Sequence, residues 1–147
     1  MAVYKIYPEK DASIYSEFPD QNTGLDPILE ASTYQSLGQA QVSRYLIKFS
    51  TNDITDVYNN KIGSNPYKVY LKNYNAVVTG LNLDRTLELY PVSGSWGMGT
   101  GHYNDSPKVT NGVSWTYSNY EGGTAWNSTG SDYYSSPNSR SWLGNWV

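Results

Sequence analysis

Hydrophobic and polar residues alternate over several short stretches of the chain, and this alternation predicts β-strands rather than helices. The clearest case is residues 67–72, where apolar and polar side chains fall on opposite faces of a strand. A period of two with one polar face is typical of an antiparallel sheet. Residues 86–91 repeat the pattern, with Leu87 and Leu89 facing inward. The two faces of the first stretch are formed by Tyr67, Val69 and Leu71 on one side and by Lys68, Tyr70 and Lys72 on the other.

Residues 42–49 form the strongest predicted strand. Their central positions are apolar on consecutive residues, so we expect both faces of this strand to be covered, as in the centre of a sandwich. Shorter β-prone stretches predict further strands at residues 3–7, 13–15 and 28–32.

One helical turn interrupts the predicted strands. Residues 51–58 begin with Thr51 or Asn52 as the capping residue and carry Asp53 in the first turn. Turn-forming residues separate the strands, at residues 19–24, 36–41 and 59–66. Since no longer helical pattern is present, the sequence predicts a single all-β domain over residues 1–147, a sandwich or a barrel.

Composition excludes several classes of protein. The 147 residues include no cysteine and one histidine, and the net charge is −3. Disulfide frameworks, thiolate zinc sites and cysteine nucleophiles are therefore excluded, and no cofactor is expected. The acidic pI of about 5.0 argues against binding of nucleic acid. No apolar run has the length of a membrane span, and the N-terminus lacks the apolar stretch of a signal peptide.

The C-terminal third is nearly uncharged and rich in Tyr, Trp, Ser, Asn and Gly. From Val109 onward the charged residues are Glu121, Asp132 and Arg140, against 23 in the whole chain. Such a surface is typical of recognition, although hydrated loops of a β-protein have the same composition. Its aromatic residues could stack on sugar rings or anchor a protein interface. The candidates are Trp115, Tyr117, Tyr120, Trp126, Tyr133 and Tyr134, with Trp96 expected to hold a loop onto the sandwich, a role that Trp115 could share.

Several of these segments resemble a known family, the DNRLRE-type β-sandwich. Residues 11–14 resemble its opening strand, and Asn22-Thr23-Gly24 resembles its Asn-x-Gly turn. Residues 44–49, which begin with Arg44, resemble its Arg-x-Leu-Leu-Lys-Phe centre, and Val92 with Trp96 resembles its Val-x-x-x-Trp element. The resemblance implies an antiparallel jelly-roll-like sandwich in which Arg44 and Trp96 are structural.

A narrower resemblance is to the variant of this family that tailed-phage virion proteins carry. It rests on residues 89–101 and 111–115, with Trp126, Gly130 and Asp132-Tyr133. Together the two resemblances cover residues 3 to about 134. The family closes its sandwich with further strands, which are either missing here or supplied by a partner or a longer parent chain. A sandwich that lacks strands exposes an edge, so we expect a binding partner.

Residues that could carry catalysis are few and scattered. The glycine-rich stretch 97–101 has no following helix, so a tight loop is favoured over a phosphate site. His102 lies near Asp105, but no nucleophile elbow accompanies them. Asp105, Glu121 and Asp132 could pair as glycosidase carboxylates, yet they share no visible framework.

A calcium loop is a further candidate at residues 20–26. Asp20, Asn22 and Asp26 offer oxygen ligands at alternate positions. The twelfth position from Asp20 is Ala31, where a calcium loop would carry a bidentate acid. A structural turn is therefore favoured, and no metal is expected.

Taken together, these features predict a non-enzymatic virion structural protein of a tailed bacteriophage. It would be a capsid-decorating or fibre-like sandwich, made in the host cytoplasm, whose partners are other virion proteins or copies of itself. The alternative is a carbohydrate-binding module that recognises surface glycans. A hydrolase is a third hypothesis.

Overall fold

Among the residues that the structure describes, the regular structure consists of two antiparallel sheets and one short helix with a π-helical continuation. The computed structural model describes residues 2–74, 76 and 87–134. Within these residues strands predominate and helix is scarce, which confirms the predicted all-β class in its coarse form. The elements are β1 (Pro8–Tyr15), β2 (Ser32–Ser36), β3 (Gln39–Phe49), α1 (Thr51–Asp56) continued by a π-helical stretch (Val57–Ile62), β4 (Tyr117–Asn119) and β5 (Thr124–Ala125).

The larger sheet has the order β1-β3-β2, so β3 is its central strand. This confirms that the apolar run at residues 42–49 forms a central strand. The predicted loop at residues 36–41 is instead a hairpin turn between β2 and β3. Its two central residues have positive φ angles, 50° for Leu37 and 79° for Gly38. Two such residues suit the right-handed twist of a hairpin.

Both faces of the central strand are covered near its middle. On one face Ala12 and Ile14 of β1 lie opposite Leu46 and Arg44 of β3. This face packs against an apolar core that also contains Trp96, Val113 and Trp126. The opposite face is also buried but polar, with Ser13, Tyr15 and Ser43. The strand alternation therefore separates an apolar layer from a serine-rich one.

Four of the predicted strands are wrong or shifted, those at residues 3–7, 28–32, 67–72 and 86–91. Residues 3–7 form no strand and β1 begins only at Pro8, while residues 28–31 precede β2. Residues 67–72 also form no strand, and Val69 is 67% exposed. Leu87, predicted to face inward with Leu89, is 61% exposed. Within the described ranges these stretches have no neighbouring strand, and alternation without a partner buries no face. Residue 86 lies outside the described residues.

The helix forms where it was predicted but with a different cap. Ser50 is the N-cap, since its backbone is extended and its Oγ accepts a hydrogen bond from the Asp53 N–H. Thr51 and Asn52 therefore lie inside the first turn instead of capping it. No helix in the described part of the chain is long and apolar enough to cross a membrane.

Candidate functional site

One buried side chain, Asn22, connects three distant segments of the chain. Its Nδ2 donates hydrogen bonds to the carbonyl oxygens of Met98 and Val113, at 2.7 and 2.8 Å. Its Oδ1 accepts hydrogen bonds from the backbone N–H groups of Gly24 and Gly101, at 3.1 and 2.8 Å. All four bonding positions of the amide are thus used without water. We call these five residues the asparagine junction.

Glycines surround this junction because backbone approaches the amide too closely for any side chain. A Cβ at Gly24 would lie 2.0 Å from the Met98 carbonyl oxygen, and one at Gly101 would lie 2.3 Å from the backbone oxygen of Asn22. At Gly99, where φ is also positive, it would lie 2.3 Å from the Asn22 Oδ1. The glycine-rich stretch 97–101 therefore serves close packing, as a tight loop.

The calcium candidates are placed in separate roles. The Asn22 oxygen is occupied by two backbone N–H groups. The Asp26 carboxylate accepts the backbone N–H of Tyr103 with both oxygens, each at 3.1 Å. Among the described residues no three His, Cys, Asp or Glu side chains are grouped to hold a metal ion. This arrangement favours a structural turn at residues 20–26.

The catalytic candidates likewise hold local loops. Asp105 accepts a hydrogen bond from the backbone N–H of His102 at 2.7 Å, and its carboxylate lies 3.8 Å from His102 Nδ1. Asp132 accepts three hydrogen bonds, from the N–H and side chain of Asn127 and the N–H of Ser128. Desolvation acts to raise the pKa of Asp132, but these three bonds outweigh it and lower the pKa. Glu121 is exposed in the turn between β4 and β5.

Two of the candidate tryptophans belong to the core. Trp126 is 7% exposed, and its indole N–H donates to the Ser114 carbonyl oxygen at 3.0 Å. The expectation that Trp126 anchors an interface is therefore wrong, because its ring and its polar atom are both used inside the molecule. Trp96 is equally buried, and the Lys10 ammonium lies 4.3 Å from its ring centroid.

Two of the remaining candidates, Trp115 and Tyr133, contact the same side chain of β3. The Arg44 guanidinium lies over both rings, 5.1 and 5.4 Å from their centroids. Its Nη1 donates to the Gly130 carbonyl oxygen at 2.6 Å. The Tyr133 ring contacts that of Tyr90 at 4.9 Å. We call Trp115, Arg44, Tyr133 and Tyr90 the aromatic stack; its outer two rings are exposed.

Backbone pairing holds the outer end of this stack. Val92 and Tyr133 form an isolated antiparallel bridge. Ser93 donates its N–H to the Asp132 carbonyl oxygen at 2.9 Å, and Tyr134 donates its N–H to that of Pro91 at 3.0 Å. Tyr134 is half-buried by this arrangement. The stack is therefore fixed at both ends, by β3 and by this pairing.

A second aromatic pair lies on the small sheet. The rings of Tyr117 and Tyr120 meet edge to face, with centroids 4.8 Å apart, and Tyr120 is exposed. The same hairpin lines a shallow cleft with a volume of about 240 Å³. Asn119 contributes a side-chain amide that bonds to none of the described residues. The cleft is formed by Ser95, Trp96, Gly97, Ser118, Asn119 and Thr124.

A tyrosine and carboxylate surface lies on the β2 edge of the larger sheet, and no sequence pattern predicted it. The Tyr34 hydroxyl donates to the Glu17 carboxylate. Ser32 Oγ donates to Glu30 at 2.7 Å, and the Tyr15 hydroxyl lies 3.4 Å from the same carboxylate. Burial raises the pKa of Tyr15 to about 12, and the bond to Glu17 raises that of Tyr34 to about 12. We call β2 with Glu17 and Glu30 the acidic edge.

The stretch at residues 67–72, here called the lysine segment, is exposed along most of its length. Tyr70 is 73% exposed, and Lys68 and Lys72 both lie in solvent. Within its own chain Tyr67 contacts the ring of Tyr58 at 5.9 Å. The sequence shows the alternation of residues 67–72, with Lys68 and Lys72 four positions apart. It did not indicate that both faces of this segment would be exposed.

Comparison with known proteins identified no relative of this chain. A scan of the chain against family models finds no match. Searches of curated proteins and of solved structures also find no match.

Proposed function

We propose that the chain is a non-enzymatic structural protein of a tailed-phage virion and acts through contact with neighbouring protein subunits. The observation that carries this proposal is the lysine segment, which has the alternation of a strand but no strand beside it among the described residues. Exposed β-prone backbone next to a sheet with an open edge favours pairing with another chain.

Exposed aromatic side chains support the same proposal. Tyr90 and Tyr133 present their rings at the end of a stack in which Arg44 contacts Tyr133 and donates to the Gly130 carbonyl oxygen. Rigid, partly exposed tyrosines lose little conformational entropy on binding and are enriched at the energetic centres of interfaces. The aromatic stack is therefore our candidate anchor for a protein partner.

The fold we propose in detail is a jelly-roll-like sandwich. The sheet β1-β3-β2 would form one layer, and the segments that bury Trp96, Val113 and Trp126 against it would lie where the second layer belongs. The tailed-phage setting comes from the resemblance of residues 89–101 and 111–115, with Trp126, Gly130 and Asp132-Tyr133, and the virion is the location that this setting implies.

Absence of catalysis is part of the proposal and is supported by the roles of the polar residues. The carboxylates of Asp105 and Asp132 each close their own loop through backbone N–H groups. A general acid or base needs a carboxyl or imidazole free to exchange a proton with a substrate. In these two loops the carboxylates act as acceptors for the protein instead.

Quantitative mass spectrometry of purified particles tests the proposal. We expect the chain at a fixed copy number per particle that survives washing in high salt. A Tyr90→Ala/Tyr133→Ala variant should be incorporated at a lower level, whereas Tyr7→Ala, which removes an exposed ring outside the stack, should match the wild type. Absence of the chain from intact particles would refute the virion role.

Carbohydrate binding is the second candidate, and the cleft beside Tyr120 favours it. Its lining offers hydroxyl groups and the unbonded amide of Asn119. Tyr120, the next residue in the chain, carries an exposed ring. The hydroxyl groups of a sugar form hydrogen bonds with amides, and the apolar faces of its ring pack on aromatic side chains. Binding on a glycan array that is lost in Asn119→Ala and Tyr120→Ala, but kept in Tyr7→Ala, would support it. Equal binding by all three variants would exclude this cleft.

A further inference from the structure

We propose that the lysine segment of one copy adds as a strand to the acidic edge of a second copy, so that identical chains assemble head to tail. This inference rests on the proposed function, since it names a partner and a surface for the protein contact. Four observations lead to it, concerning backbone, charge, apolar side chains and the contacts within one chain.

The backbone of β2 offers bonding groups on its outer side. Its two-residue hairpin pairs Ser36 with Gln39, and the same register pairs Tyr34 with Gln41. In such a hairpin these are the hydrogen-bonded pairs, so the N–H and C=O groups of Thr33 and Gln35 point away from β3. No strand of the described residues lies on that side. An incoming strand would bond to these groups.

Charge is complementary between the two surfaces. The face of β2 that carries Tyr34 also holds the carboxylates of Glu17 and Glu30, which bond to Tyr34 and Ser32. One face of the lysine segment would carry Lys68 and Lys72, about 13 Å apart in a strand, with Tyr70 between them. A five-residue strand centred on Tyr70 matches the five residues of β2 centred on Tyr34. Opposite charges on facing strands stabilise the pairing.

The other face of β2 carries Thr33 and Gln35, which are exposed and open to an added strand. Thr33 pairs with Val42, and both side chains lie on the face of the sheet that carries Leu46 and packs against the core. A strand beside β2 with Val69 and Leu71 on this face would extend the apolar layer. Val69, now 67% exposed, would lose part of its contact with water against Thr33 and Gln35.

Contacts within one chain leave the two surfaces apart. Among the described residues, the segment contacts its own chain where Tyr67 meets the Tyr58 ring and where the Lys72 ammonium lies 4.9 Å from the Tyr74 ring centroid. The adjacent Asn73 donates to the Tyr45 hydroxyl at 3.3 Å. None of these partners belongs to β2. Since the donor and acceptor surfaces differ, one pairing between two copies leaves one of each surface open. The expected product is an open filament or a closed ring, of which a dimer that exchanges both segments is the smallest.

Charge reversal tests this pairing, with sedimentation velocity over a range of concentrations as the measurement. The edge variant is Glu17→Lys/Glu30→Lys and the segment variant is Lys68→Glu/Lys72→Glu. We expect the wild type to associate as concentration rises and each variant alone to associate at least tenfold more weakly. An equimolar mixture of the two should recover association, because every edge then meets a segment of opposite charge. The control variant Lys5→Glu/Lys61→Glu, which changes exposed lysines elsewhere, should associate like the wild type.

The outcomes separate this inference from the proposed function. A wild type that stays monomeric at every concentration, or a segment variant that associates as strongly as the wild type, overturns the inference. Loss of association in both variants without recovery in the mixture also overturns it. Glu30 bonds to neighbouring hydroxyls, so the edge variant could lose stability, and its thermal melting is recorded. If the edge variant unfolds, the segment variant, whose lysines are exposed, decides the result. Association in solution by a chain absent from particles would leave the inference standing and refute the virion role.

Discussion

The asparagine junction and the lysine segment are both built from short stretches with turn or strand character, yet they have opposite fates. At the junction one amide satisfies four backbone groups, and the surrounding glycines admit no side chain. In the lysine segment the alternation is cleaner than in β1, yet most of its side chains lie in solvent. Regular patterning is therefore insufficient for burial when, as among the residues described here, no strand lies beside the backbone.

This difference suggests a division of labour. The junction connects residues 22–24 with residues 98–101 and Val113, so it supplies the fold with long-range order. The lysine segment and the acidic edge contribute less to the isolated chain and remain available for contact. Substitutions at the junction should reduce the free energy of unfolding, whereas substitutions in the segment should change association only.

The largest expected effect comes from Asn22→Ala. It leaves two carbonyl oxygens and two N–H groups without partners in a buried site, and each such group costs about 1–3 kcal/mol. We expect the free energy of unfolding to fall by more than about 4 kcal/mol, measured by urea denaturation. Asn104→Ala, at an exposed position, is the control and should change little. A loss for Asn22→Ala as small as that of the control would show that the junction carries no stability.

The next effect comes from Gly101→Ala, which places a methyl group 2.3 Å from the Asn22 backbone oxygen. Overpacking of this kind costs about 1–3 kcal/mol and occasionally more. Gly94→Ala is a matched control, because no atom lies within 4 Å of the Cβ it would add. Thermal melting should separate the two variants clearly. Equal melting temperatures would contradict the close approach at Gly101.

A smaller loss is expected from Arg44→Lys, which tests the tie between β3 and the aromatic stack. Lysine keeps the charge but cannot stack a flat guanidinium over Trp115 and Tyr133. We expect a loss of about 1–2 kcal/mol in the free energy of unfolding, and a changed Trp fluorescence spectrum. Lys48→Arg, on the same strand and exposed, serves as the control. Unchanged stability and fluorescence in Arg44→Lys would show that the aromatic stack does not stabilise the fold.

The smallest expected effect is on how stability depends on acid pH, and it comes from Asp132→Asn. The pKa of Asp132 is lowered in the fold, so its three hydrogen bonds stabilise the protein at neutral pH. This contribution is lost as pH falls below about 4, where the carboxylate is protonated in the unfolded chain and then in the fold. Asp132→Asn should therefore lower stability at pH 7 and flatten its decline at acid pH. Parallel pH profiles for wild type and variant would show that this loop does not contribute.

The sequence predicts some of this structure because the information is local. The consecutive apolar residues of 42–49 specify a strand covered on both faces, and Asn22 with Gly24 specifies a turn. The rest depends on distant partners. The amide of Asn22 bonds to Met98 and Val113, 76 and 91 positions away, and nothing near Asn22 indicates them.

The aromatic residues also show that burial depends on contacts with distant parts of the chain. Trp126 and Tyr133 lie in the same nearly uncharged region, but one is buried in the core and the other carries an exposed ring. The composition of this region is the same for both residues, so composition could not separate them. The separation depends on Ser114 and Arg44, which contact them from other parts of the chain.

Hydrogen exchange at single-residue resolution tests the contrast between the two regions most directly. In dilute solution we expect the amides of Gly24, Gly101 and Val113 to be strongly protected and those of residues 67–72 to exchange rapidly. On raising the concentration until the chain associates, residues 67–72 and the outward amides of Thr33 and Gln35 should gain protection. Strong protection of residues 67–72 in the dilute monomer, or rapid exchange at the junction, would contradict the account.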